Sequence, residues 1–375
     1  MKILFDFSQI PEKRTGVGVY ADHLLRELLL QLRDEDHLIV LIQHDEHKVP
    51  SMLRGQSNAT FRRLPAIFRN RLILLFFEQT FLPLILAHQH IDIIHSLHYT
   101  HPLYTLSRRV VTIHDLTLIT MPELHTLGRK LVFPFFIKHA LRFAESLIFV
   151  SQATENDAAS IVPVSQAIKA VIPLGVDPKM YNAIYSRQIL NEHGVTSPFL
   201  LFLGTIEPRK NIGRLIEAFD KVAEEYELLS LVIVGKRGWK YQDVFQRIES
   251  SKFRKRILVL GYATEQEKAS FLQHSTALVF PSLYEGFGLP VLEGMAAGTP
   301  VITSNLSSLP EVGGDAAILV DPFSSEAIAD AVRKILDDPQ MANAMRVKGK
   351  SRAEEFSWQR VAAETYALYR RTLKL

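Results

Sequence analysis

The stretch "TALVFPSLYEGFGLPVLEGMAAGTPVITS", residues 276–304, carries the decisive pattern of this chain. It opens on an apolar, strand-like run at 276–282 and closes on a second one, "PVITS", at 300–304. Between them Pro290 falls in the first turn of a short helix and Gly298 just past its last, the ordinary punctuation of helix ends. Strand, short helix and strand in so little chain is the unit from which parallel sheets are built. Two residues are not explained that way. Glu285 precedes the helix on a turn flanked by Gly286 and Gly288, where a backbone can approach a ligand closely. Glu293 follows eight positions later, inside the apolar helix.

Working outward, the same alternation fills the chain. The first half offers "KILFDF" (2–7), "LIVLIQ" (38–43), "IDIIHS" (91–96), "VVTIHD" (110–115), "SLIFVS" (146–151) and "KAVIPLGVD" (169–177). The second offers "FLLFLGT" (199–205), "LSLVIVG" (229–235), "RILVLGY" (256–262), the two runs of the opening stretch, and "AAILVDP" (316–322). Helix-length amphipathic segments separate them, which predicts parallel sheets covered on both faces. The 375 residues exceed what one core usually supports, so two doubly wound domains are expected, with the break in 173–198 and the domains set at 1–180 and 181–356.

Composition narrows the function. Hydrophobic residues make up 47% and charged ones 22%, a globular balance, and 43 Lys and Arg stand against 40 Asp and Glu, so no nucleic-acid partner bound by bulk charge is expected. The absence of cysteine excludes disulfides and thiolate metal sites and fits a reducing compartment, hence a cytoplasmic expectation. The opening "MKILFDFSQ" reaches Asp6 too early for a signal-peptide core and reads as a first buried strand. The apolar run 72–87 stays short of the ~20 residues of a membrane span and contains Glu78 and Pro83, so it is not read as one.

Charge is nonetheless polarised. Residues 54–142 hold eleven Lys or Arg against four Asp or Glu, and eight of the chain's 14 histidines. Within this window "GRKLVFPFFIKHALRF" (128–143) interleaves Arg129, Lys130, Lys138 and Arg142 with Phe133, Phe135 and Phe136. Two readings are open, a core helix with a solvated basic face and a surface facing anionic lipid.

Ligands of doubly wound sheets bind at the carboxyl ends of the strands, so the turns there hold the candidates. Gly16, Gly18 and Ala21 spell G-x-G-x-x-A, a dinucleotide fingerprint. It is discounted because Gly16 lies nine positions beyond Phe7 and the acidic ribose partner is misplaced, although a Gly-rich helix start still offers N–H groups to an anion. His114 and Asp115 end the fourth run. Arg209 and Lys210, in "EPRKN", sit between a strand and the helix "NIGRLIEAFDKVAEEY", where two cations and a helix N-terminus suit a diphosphate. The acidic "DED" at 34–36 lies before a strand, away from these ends, and reads as a solvated helix terminus without a metal.

Together these motifs resemble the family 4 retaining glycosyltransferases: the G-x-x-x-x-R-K-N of 204–211, the E-x7-E pair Glu285 and Glu293 around "GFGLP", and "GTPVITSNLSSLPEVGGDAAILVDP" after it. The resemblance implies two facing Rossmann-like domains (GT-B type) with a cleft between them, the acceptor held by the first and the nucleotide sugar by the second. It also implies that the last helix, 357–375, packs back on the first domain. By the same resemblance Arg209, Lys210, Glu285 and His114 are the catalytic set, Glu285 reaching donor-sugar hydroxyls and His114 the sugar near its anomeric carbon. Donor binding would fall to Gly16, Gly18, Gly204, Gly286, Phe287, Gly288, Leu289 and Glu293, the last on the ribose. No cofactor beyond the donor and no metal is implied, and retention without an obvious nucleophile implies front-face substitution. "VGKRGWKYQ" (234–242), "EGFGLP" and "TIHDLTL" (112–118) look most like bacterial mannosyltransferases of surface polysaccharide, hence GDP-mannose and a glycan or lipid-linked acceptor at the inner membrane surface. UDP-hexose or UDP-N-acetylhexosamine transfer, a nucleotide-dependent oxidoreductase and a non-catalytic lipid-surface protein are the alternatives.

Overall fold

The computed structural model describes residues 1–10, 14, 16–163, 167–177, 181, 183 and 185–375. The chain divides into two compact units, Met1–Gly175 with Trp358–Leu375, and Val176–Ser357. The boundary expected at residue 180 lies outside the described residues.

The first unit is a seven-stranded sheet in the order β3-β2-β1-β4-β5-β6-β7, parallel throughout. Its strands are β1 (Lys2–Asp6), β2 (His37–Ile42), β3 (Ala59–Arg63), β4 (Ile93–Ser96), β5 (Arg108–Ile113), β6 (Ser146–Phe149) and β7 (Ile168–Val171). The second unit is a six-stranded parallel sheet in the order β10-β9-β8-β11-β12-β13. Its strands are β8 (Phe199–Leu203), β9 (Ser230–Val234), β10 (Ile257–Gly261), β11 (Ala277–Phe280), β12 (Val301–Ser304) and β13 (Ala317–Val320). Both units are Rossmann-like, as expected from the alternating pattern. β8, β9, β11 and β12 are buried at every position, because helices cover both faces and each side chain, up or down, needs an apolar neighbour. β3 was not expected. It is the edge strand, exposed from Thr60 to Arg63, and its charged ending hides the two-residue period while discouraging edge pairing.

The last helix, Trp358–Leu373, belongs to the first unit. Tyr369 Oη is hydrogen-bonded to His95 Nδ1 at 2.6 Å, His95 Nε2 to Thr112 Oγ1 at 2.8 Å, and Thr112 Oγ1 to Tyr20 Oη at 3.1 Å, a buried chain running from this helix through β4 and β5 to the helix Gly16–Leu29. Trp358 stacks on His23, ring centroids 4.8 Å apart and 6° from parallel. Asp36 corrects the reading of "DED" as a solvated terminus. It is 4% exposed, accepts a hydrogen bond from the Tyr366 hydroxyl and pairs with the N-terminal ammonium at 3.0 Å. The N-terminus and the last helix both need an anion there, which no local pattern reveals.

The apolar run near residue 80 forms the helix Arg71–His88, capped by Asn70, whose side chain accepts from Leu72 N at 2.9 Å. Among the described residues it is the one helix long and apolar enough, by length and composition, to cross a membrane. Leu74, Phe77, Leu82 and Leu86 join the core beside Leu4, Ile39 and Ile94, while Leu72, Phe76, Phe81 and Leu84 face outward.

Candidate active site

In the second sheet the strand order reverses between β8 and β11, which are direct neighbours. A crevice opens at the carboxyl ends of strands wherever such a reversal sends the two crossovers to opposite sides. The segment after β8 is "GTIEPRKN" and that after β11 is "PSLYEGFG", so the two motifs meet because their strands do. Asn211 fixes the meeting. It adopts the left-handed conformation, φ 57°, and its amide donates to Pro281 O at 3.1 Å and Pro322 O at 2.7 Å. Leu283 N donates in turn to Arg209 O at 2.9 Å.

Four charges converge there. Arg209 Nη1 lies 2.7 Å from Glu285 Oε2, and Lys210 Nζ donates to Glu285 Oε1 at 2.5 Å. On its other edge the Arg209 guanidinium donates from Nε and Nη2 to Glu207 Oε1, at 3.2 and 2.9 Å. Glu207, Lys210 and Glu285 are all buried. Burial alone would raise the Glu285 pKa, but the Arg209 and Lys210 charges overcome it and hold the carboxyl at about 2. Glu207 goes the other way, its pKa raised because burial outweighs the same two cations. Ser282 Oγ donates to Glu285 Oε1 at 2.6 Å, and the Lys210 ammonium sits 4.8 Å over the Phe280 ring. The side chains are therefore fixed before any ligand arrives, the condition under which a charge stabilises a transition state without reorganising.

The turn 285–288 is held by the loop after β12. Ser307 Oγ accepts from Glu285 N at 2.9 Å, and Ser308 Oγ donates to the carbonyls of Glu285 and Phe287 at 2.9 and 2.6 Å. Gly288 needs to be glycine, with φ at 117° and a Cβ that would meet Leu309 Cδ2 at 2.7 Å. It caps the helix Leu289–Ala296, whose first turn holds Pro290, where a missing N–H costs no intrahelical bond. Gly286, Phe287 and Leu289 lie on the same stretch, and Gly204 directly follows β8, its φ at 149° and a Cβ there 3.8 Å from Lys210 Cε. Glu293, on that helix, is 8% exposed and accepts from Lys268 Nζ at 2.6 Å. Burial raises its pKa against the pull of Lys268.

The first unit carries the remaining candidates. Gly16 and Gly18 lie in the first turn of the helix Gly16–Leu29. Nothing crowds Gly16, but a Cβ on Gly18 would meet Arg14 Cδ at 2.9 Å. Arg14 is buried there between Asp22, bonded from Nε at 2.8 Å, and Glu46, bonded from Nη2 at 2.7 Å. His114 follows β5, its Nε2 3.1 Å from Leu97 O and its ring edge-on to Tyr20 at 5.0 Å. Because a carbonyl only accepts, Nε2 carries the proton. Burial pulls its pKa down to about 4, so the imidazole is neutral at ordinary pH and acts as a dipole, not a cation. Arg129 and Lys130 are half-buried on the helix Leu127–Phe143, Lys138 and Arg142 exposed. Glu207, Arg14 and Lys268 were absent from the sequence reading; only the proximity of Glu207 to "RKN" could have pointed to any of them. Among the described residues no group of three or more His, Cys, Asp or Glu could hold a metal ion.

Comparison with known proteins completes the picture. The family described as "Glycosyl transferases group 1" matches residues 187–352, and "Glycosyltransferase Family 4" matches 14–180. O-antigen chain mannosyltransferase B of Escherichia coli is 28% identical, over 99% of this chain and all of its own. MMP alpha-(1->4)-mannosyltransferase of Mycolicibacterium hassiacum is 30% identical over 63% of this chain, which spans only 56% of that protein. Among solved structures, HepE of Anabaena in complex with UDP and glucose superposes with a TM-score of 0.75 over 98% of each chain at 19% identity, a likeness of fold. Two Rossmann-like units, with the second sheet's motifs joined at its switch point, make this protein a hexosyl-transferring glycosyltransferase of the GT-B class. It belongs to the group 1 and family 4 glycosyltransferases, the first unit carrying the family 4 match and the second the group 1 match.

Proposed function

We propose that this glycosyltransferase moves a mannosyl group, with retention, from GDP-mannose to a glycan or lipid-linked acceptor of surface polysaccharide, at the cytoplasmic face of the membrane. The observation that carries the reading is the full-length likeness to an O-antigen chain mannosyltransferase. Arg209 and Lys210 would neutralise charge developing on the departing diphosphate. Glu285, ionised between them, is suited to accept from donor-sugar hydroxyls, and Glu293 from the ribose, with Gly204, Gly286, Phe287, Gly288 and Leu289 lining the donor. Gly16, Gly18 and neutral His114 are the first unit's contribution, His114 touching the sugar with its unprotonated Nδ1. The departing phosphate helps to deprotonate the acceptor in a front-face substitution, so no protein nucleophile is required.

The test is a donor panel read by nucleoside diphosphate release. GDP-mannose should exceed UDP-glucose, UDP-N-acetylglucosamine and GDP-glucose in kcat/KM by at least about tenfold. A preference for any UDP-sugar sinks the mannose assignment, and stabilisation by NAD instead of nucleoside diphosphates would sink the transferase reading of the site.

The membrane assignment draws on two helices of the first unit. Leu127–Phe143 exposes Leu131, Phe135, Phe143, Lys138 and Arg142, and Arg71–His88 exposes Leu72, Phe76 and Leu84. They are laced together through one segment, His101 Nε2 lying 3.0 Å from His139 Nδ1 and Gln79 Nε2 donating to His101 O at 3.0 Å. Clustered exposed apolar side chains with basic neighbours fit an anionic bilayer surface, each basic residue adding up to ~1 kcal/mol. Sedimentation with anionic vesicles should exceed that with zwitterionic ones and fall when Arg129, Lys130, Lys138 and Arg142 are replaced by Gln. Equal binding to both vesicle types would refute it.

A further inference from the structure

Lys268 lies on the helix Glu265–His274, whose start is fixed by a capping box between Thr264 and Glu267. Such a helix ordinarily turns its lysines to water, yet Lys268 is 9% exposed. Its ammonium bridges two carboxylates, Glu293 Oε1 at 2.6 Å and Glu265 Oε2 at 2.7 Å. Among the described residues Lys268 is the only cation paired with Glu293. The buried Tyr181 hydroxyl adjoins the same carboxylate. A buried lysine is costly unless its charge is used, and here the group it serves is the one read as the ribose acceptor.

We propose that Lys268 is the positioning residue for the nucleotide's ribose, holding Glu293 ionised and turned so that its carboxylate accepts from the 2′- and 3′-hydroxyls. The proposal rests on the reading that Glu293 meets the ribose. A vicinal diol donates two hydrogen bonds, and only an ionised carboxylate has acceptors free on both oxygens, since protonation converts one of them to a donor. Three groups face Glu293. Burial and the Glu265 charge favour its protonated form, Lys268 opposes both, and the nearby Tyr181 hydroxyl acts more weakly in the same sense as Lys268. Removing Lys268 leaves two carboxylates close together without a counterion, and the Glu293 proton then comes off at a higher pH.

The experiment measures binding of GDP and UDP, and of their 2′,3′-dideoxy counterparts, by calorimetry from pH 5.5 to 8.5, in the wild type, Lys268→Met, Lys268→Arg and Glu293→Ala. The wild type should prefer the ribonucleotide by about tenfold or more across the range. Lys268→Met should lose most of that preference at pH 6 and regain it as pH rises, because the carboxylate form returns; Lys268→Arg should restore the flat profile. An unchanged preference and profile in Lys268→Met overturns the proposal. If the wild type itself makes no distinction between ribo and dideoxy forms, and Glu293→Ala changes nothing, it is the ribose reading of Glu293 that fails. Should Lys268→Met not fold, Lys268→Gln, which keeps a donor but no charge, carries the same pH comparison.

Discussion

Replacing Lys210 by Met tests the centre of the site, because Met keeps most of the side chain's bulk and removes its charge together with its donated hydrogen bond. In the wild type Lys210 is 7% exposed and its ammonium lies 2.5 Å from Glu285 Oε1. It is held before the donor arrives, so its loss removes a preorganised stabiliser of the leaving diphosphate. That is worth about 10² to 10³ in kcat, or roughly 3–4 kcal/mol. A second effect follows from the same contact. Arg209 and then Lys210 hold the Glu285 carboxyl at about 2 against burial, so the wild-type rate should show no limb from this group above pH 4. Without Lys210 the pKa moves back up, and a limb that falls toward acid should enter the measured range. The assay is nucleoside diphosphate release at saturating donor and acceptor, with kcat and KM resolved from pH 4.5 to 8.5 and a thermal melt as control. A kcat within about threefold of wild type, or a loss confined to KM, refutes the catalytic role argued for Lys210.

Three further outcomes are expected. Glu285 contributes stability that is present above the ordinary carboxyl pKa of 4.5 and lost as pH falls toward 2; at 1.36 kcal/mol per unit this is about 3 kcal/mol, which Glu285→Gln should remove from the acid dependence of urea unfolding. Gly288→Ala forces a positive φ and a 2.7 Å approach to Leu309, and should lower unfolding stability by about 1–3 kcal/mol, read as a shift in urea midpoint at constant slope. Tyr369→Phe breaks the buried chain at His95 and should cost about 1–3 kcal/mol, with earlier proteolysis of the last helix as its local signature; an unchanged melt would mean that chain is dispensable.

The strands were legible because burial on both faces writes itself as uninterrupted Val, Ile, Leu and Phe, as in "FLLFL" and "SLVIV". β3 escaped because an edge strand answers to water on one side and to the risk of mispairing on the other, so it reads as polar chain. The pairing of Arg209 and Lys210 with Glu285 could be anticipated from strand-end logic, since both motifs follow runs that end at the sheet's carboxyl edge. Lys268 could not, because nothing distinguishes it in sequence from the solvated charges beside it, and Glu207 is marked only by its nearness to "RKN". Their roles arise only when packing brings them against Arg209 and Glu293. Asp36 is the same lesson inverted, an apparently wet acid made structural by partners at opposite ends of the chain.

The return of Trp358–Leu373 to the first unit has a consequence for biosynthesis. The ribosome finishes the first sheet early, but His95 waits for Tyr369 until the second unit has been made. At about 5–20 residues per second that delay is on the order of ten seconds or longer. For its duration the nascent first unit carries a gap along β4, β5 and the first helix where the last helix will lie. A stop codon before residue 358 would thus leave the group 1 match intact in sequence while depriving the early-made unit of its closing piece.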